Sequence, residues 1–155
     1  MSLIEKYIEA YKKRINHPFF NAGAAERLIK EYETHGKLVV GFDFDNTIFD
    51  VHNNGCNYSG VIDLLRECKE LGFLLCLYTS EPDEDWLEWK VRYCGHFGIE
   101  PDYINDSPLL PGTKKPFFNI LLDDRAGLES AYTTLKTVVD YAKRRGEDRD
   151  LQEGN

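Results

Sequence analysis

Asp43 and Asp45 stand two residues apart at the end of an apolar run, LVVGFDFDNTIF over residues 38–49. Carboxylates resist burial, and two close together repel unless a proton or a cation lies between them. A second apolar run closes on Thr79 and Ser80, and a third on Asp123 and Asp124. Four acids on one edge need a counter-charge, since at ~4 Å a pair repels by about 4 kcal/mol at an effective dielectric of 20. Oxygen ligands without His or Cys close by in sequence favour a hard cation, and a few carboxylates plus waters suit Mg²⁺. A carboxylate can also be a nucleophile, dividing one hard displacement into two through an acyl-phosphate. A second carboxylate two residues on can protonate the leaving oxygen and later activate water. A threonine hydroxyl and a lysine then neutralise the phosphoryl oxygens, and Lys114 and Lys115 stand just before the third run.

The elements that must position these groups follow from periodicity. Residues 37–44, 73–78 and 119–122 read as buried strands, with a short edge strand at 101–105. Helical spacing covers residues 2–15 and 22–35, the latter ending at Gly36 as a left-handed cap. Further helices start at Ser59, read as an N-cap, and at Pro82, and a final one spans residues 127–145. Gly72 closes the helix that Ser59 opens, and residues 146–155 read as a charged, frayed tail. Strands alternating with helices imply right-handed crossovers and a parallel α/β sheet. All three buried strands then carry their polar residues at the carboxyl edge, where open parallel sheets bind ligands.

The pattern Asp43-Phe44-Asp45-Asn46-Thr47 resembles the first motif of the haloacid dehalogenase superfamily, DxDx[TV]. The strand ending in Thr79 resembles its second motif, Lys115-Pro116 its third, and Leu122-Asp123-Asp124 its fourth, in the same order along the chain. The resemblance implies a three-layer Rossmann-like sheet with helices on both faces. It divides one domain, residues 1–155, into an N-terminal helical extension (1–36), a catalytic core (37–145) and the tail. It implies a Mg²⁺-dependent phosphatase in which Asp43 is nucleophile and metal ligand, and Asp45 is acid/base with its backbone carbonyl on the metal. Thr79 and Lys115 would hold the phosphoryl group, Asp124 would bind the metal directly and Asp123 through water. An acid at Asp45 points to phosphatase rather than dehalogenase chemistry, and Lys115 is preferred to Lys114 by its pairing with Pro116. The short connections leave little or no cap, so the site is expected to be open to a large substrate, another subunit or the N-terminal helices.

Composition bounds the alternatives. The chain has 155 residues, 42% of them hydrophobic, with a net charge of -8, which argues against a broad nucleic-acid surface. No apolar run approaches the ~20 residues that span a bilayer. Cys56, Cys68, Cys76 and Cys94 form no CxxC pair and read as free core thiols, which points to a cytoplasmic location. Of the four histidines only His52 lies near the expected site. Trp86, Trp89, Tyr93 and Phe97 share a helical face read as core or interface, and Arg125 reads as a structural salt bridge. The partner implied is a phosphorylated substrate, with a nucleic-acid end or nucleotide as a narrower version. The rival is a non-catalytic binding or assembly module with the N-terminal helices as its working surface, and homo-oligomerisation through those helices is a separate expectation.

Overall fold

The structure is a computed structural model that describes residues 1–15, 17–110 and 113–154. Its elements follow in the order α1 (Leu3–Ile15), α2 (Asn21–His35), β1 (Val39–Phe42), α3 (Ser59–Glu70), β2 (Leu74–Leu77), α4 (Glu84–His96), β3 (Tyr103–Ile104), β4 (Ile120–Leu122) and α5 (Leu128–Glu153). The four strands form one sheet in the order β3-β2-β1-β4, parallel at every pairing. Helices flank it, with α3 against β2, α5 against β4, and α2 laid on α5.

The expected strands form because their residues bury on both sides. All four residues of β1 are buried, as are Leu75, Cys76 and Leu77 of β2. Phe42, Phe73, Leu64, Leu65, Leu122 and Val138 belong to one continuous core. Each such side chain contributes about 1.5–3 kcal/mol by leaving water.

Three polar side chains fasten the ends of the strands. Asn119 donates its backbone N–H to Val39 O at 2.9 Å and accepts the Val39 N–H at its Oδ1 at 2.7 Å. Asp102 does the same to Leu75, with 2.8 Å for both bonds. Asn105, in the left-handed region at φ 51°, donates to Leu77 O at 2.8 Å and accepts the Thr79 N–H at 2.9 Å. A side-chain amide or carboxylate thus continues the ladder where strand pairing stops.

Several boundaries differ from the sequence reading. Ser59 is the first helical residue of α3 rather than its cap, and its N–H bonds Asn57 Oδ1 at 2.9 Å. α5 runs on to Glu153 instead of ending at residue 145, because the charged residues beyond are good helix formers and Gly146 alone does not stop them. Cys56 is exposed, unlike the buried Cys68, Cys76 and Cys94, because its loop closes around Asp50 rather than on the core. The Asp50 carboxylate accepts the backbone N–H groups of Asn54, Gly55 and Cys56, which hold its pKa below the ordinary value. Leu3, Ile4 and Tyr7 of α1 are exposed. No helix among the described residues is long and apolar enough to cross a membrane.

Candidate active site

The chain bends at Phe44, just past the end of β1, with Asp43 and Asp45 on either side of it. Phe44 is fully buried, and both aspartates line a cavity of about 360 Å³ at the carboxyl edge of the sheet. The register brings the other acids to the same place. Phe42 pairs with Leu122 across β1 and β4, and Asp43 donates its N–H to Leu122 O at 2.9 Å. Asp123 and Asp124 therefore emerge beside Asp43. Phe42 also pairs with Leu77 of β2, which delivers Tyr78, Thr79 and Ser80 to the opposite wall.

Asp43, Asp123 and Asp124 each offer a carboxylate oxygen within 4.8 Å of the others. Half-burial pushes the Asp43 carboxyl up to about 6, and the charges of Asp123, Asp45 and Asp124 push the same way against a backbone hydrogen bond from Phe44. A carboxylate so placed favours either a proton or a cation, and an all-oxygen donor set fits a hard divalent ion. The three carboxylates are thus a candidate metal site.

Asp45 faces a different partner. Its Oδ2 lies 3.1 Å from Nζ of Lys90, which is 5% exposed and reaches in from α4. The same ammonium stands 3.3 Å from Thr79 Oγ1, 3.3 Å from Glu81 Oε2 and 5.1 Å from the centre of the Phe44 ring. A buried lysine needs such company, since an unpaired buried ammonium is strongly disfavoured.

Of the residues singled out in the sequence, Asp43, Asp45, Thr79, Asp123 and Asp124 meet at this cavity. Lys115 does not line it: Lys114 and Lys115 are both exposed. His52 is exposed and stands outside the lining. Arg125 lines the cavity, and the salt bridge expected for it is absent among the described residues. Trp89 and Tyr93 pack against Phe44 and Phe49, as a core stripe should, while Trp86 stays largely exposed.

Sequence reasoning missed Lys90, and a signal was present. Trp89 and Tyr93 mark the inward face of α4, and Lys90 falls on that face beside them, three residues before Tyr93. A lysine on a buried face needs an acid to meet. Asn105 was missed too, and its role in holding Thr79 depends on β3 lying beside β2, which no local pattern reveals.

Compared with models of protein families, with curated proteins and with solved structures, the chain finds no match.

Proposed function

We propose that the chain is a phosphomonoester hydrolase of the haloacid dehalogenase type, using Mg²⁺ and an aspartyl-phosphate intermediate. The convergence of Asp43, Asp123 and Asp124 beside Asp45, Thr79 and Lys90 carries the reading. The cation, when bound at the three carboxylates, offsets their repulsion and draws charge from the phosphoryl oxygens.

An Asp43 oxygen attacks phosphorus while the bond to the leaving oxygen breaks. Asp45 gives that oxygen a proton, then takes one from the water that attacks the phosphorus of the Asp43 acyl-phosphate. The second attack frees inorganic phosphate and restores the Asp43 carboxylate. Thr79 donates its hydroxyl to a phosphoryl oxygen from a backbone fixed by Asn105. Lys90, which does not itself line the cavity, offsets charge from behind it through its contacts with Asp45 Oδ2 and Thr79 Oγ1, in place of the Lys115 that the resemblance implied. Because Lys90 touches both Asp45 and Thr79, it holds the acid/base and the phosphate-binding hydroxyl in one fixed relation.

The test is phosphate release from an aryl phosphate with and without Mg²⁺, in the wild type and in Asp43→Asn. Release should need the cation and vanish in the variant. Undiminished turnover in excess chelator, or in Asp43→Asn, overturns the assignment.

A further inference from the structure

Beyond the reacting phosphoryl group, the cavity offers an exposed cation and an exposed ring. Lys90 is already committed to Asp45 and Glu81. Arg125 has no ion pair among the described residues, although it stands directly after two carboxylates. Its backbone is fixed by a bond from its N–H to Asp123 Oδ1 at 2.8 Å. Tyr78 lines the same cavity, is 39% exposed, and rests edge-on against Phe118 at 5.5 Å between ring centres. Phe118 in turn packs close to Gly41 of β1, where an added Cβ would come within 2.7 Å of its ring. The Tyr78 ring is thus backed by the sheet while still open to solvent.

A guanidinium with no ion pair among the described residues, on a residue that lines the same cavity as four carboxylates, is suited to an anion that the substrate brings, because it can grip phosphate oxygens two at a time. A supported, half-open aromatic ring is suited to a flat ring of the ligand. We propose that Arg125 and Tyr78 form a recognition subsite for the leaving group, and that this leaving group is a nucleotide carrying a second phosphate of its own. Arg125 takes the second phosphate and Tyr78 the base. The inference rests on the phosphomonoesterase reading and narrows its substrate class. It also fits the net charge of -8, since one cation at the site mouth recognises a small nucleotide without a basic surface.

The experiment compares adenosine 3′,5′-bisphosphate with each adenosine monophosphate and with an aryl phosphate, all at fixed Mg²⁺ and ionic strength. A charge-assisted contact corresponds to roughly 10–100-fold, so the wild type should prefer the bisphosphate in kcat/KM by that factor. Arg125→Gln should collapse the ratio of bisphosphate to aryl phosphate, Arg125→Lys should restore part of it, and Tyr78→Leu should lower the advantage of nucleotides over the aryl ester. Hydrolysis of every ester with a ratio near one in the wild type overturns the subsite and leaves the hydrolase reading standing. A second readout covers the opposite case. Binding of adenosine 3′,5′-bisphosphate to Asp43→Asn with Mg²⁺, measured by calorimetry, should weaken roughly tenfold or more when Arg125→Gln is added. Arg125-dependent binding without turnover in the wild type removes the hydrolase reading and keeps the subsite, whereas no dependence on Arg125 removes the subsite.

Discussion

Thr47 and Asp124 lie 77 residues apart, yet the buried Thr47 hydroxyl accepts the backbone N–H of Asp124 at 3.1 Å. One bond ties the loop after β1 to the loop after β4, and so sets Asp124 against Asp43. Thr47→Val keeps the shape and removes the acceptor, leaving a part-buried N–H without its partner. The expected cost is about 1–3 kcal/mol. At roughly 2–4 °C per kcal/mol for a chain of this size, the melting temperature falls by several degrees. Its rise with added Mg²⁺ should shrink in the same variant, and an unchanged Mg²⁺ response would separate Thr47 from the metal site.

Lys90 and Lys115 are distinguished by one pair of variants. Lys90→Met keeps the stem and removes the ammonium that touches Asp45 and Thr79. Loss of one preorganised donor of this kind lowers catalysis about 10²–10³-fold. Lys115→Met should change kcat/KM little, since Lys115 is exposed and, unlike Lys90, has no contact with Asp45 or Thr79 among the described residues. Steady-state kinetics on an aryl phosphate checks both, and the reverse ranking returns the phosphate-binding role to Lys115.

The Asp43 carboxyl, held at about 6, ties stability to pH. An unfolded aspartate ionises near its ordinary value of about 3.9. Between those two values the folded chain holds a proton that the unfolded chain has lost. Stability from this group is therefore full at low pH and is lost as pH rises through about 6. Asp43→Asn removes the titration, so in chelator its stability relative to the wild type should increase from about pH 4 to about pH 7. Urea unfolding of both proteins across that range measures the difference, and a pH-independent difference contradicts the burial and crowding inferred for Asp43.

Gly41 carries a packing prediction. A Cβ there would meet the Phe118 ring at 2.7 Å, and Phe118 supports Tyr78. Gly41→Ala should cost about 1–3 kcal/mol through overpacking. Thermal unfolding reads the cost, and an unchanged melting temperature would show that Phe118 moves freely.

The strands and the acids were legible because both signals are local. A run such as Leu38 to Phe42 can bury itself only within a covered parallel sheet, and polar residues at its end must then stand on the carboxyl edge. Phe44 is fully buried between two aspartates that both line the cavity, an arrangement set at a bend past the end of β1. What escaped the reading depends on contacts distant in sequence. Lys90 meets Asp45 across 45 residues, and Asn105 meets Thr79 across 26. The choice of Lys115 rested on adjacency to a proline, whereas the buried stripe of α4 already contained a lysine that had to be paired. The extent of α5 was underestimated because charge suggested fraying, although charged residues are competent helix formers.

The central claim, that Asp43 is phosphorylated during turnover, is tested most directly by trapping that species. In Asp45→Asn the water-attack step lacks its base, while an aryl phosphate with a good leaving group needs no proton from an acid. Acid-quenching this variant with such a substrate and Mg²⁺, then mapping the peptides by mass spectrometry, should find one phosphoryl group. It should sit on Asp43 and be released by hydroxylamine, as an acyl-phosphate is. Phosphate release by the wild type with no phosphoryl group on Asp43 in the quenched variant, or with one on another residue, would contradict the account.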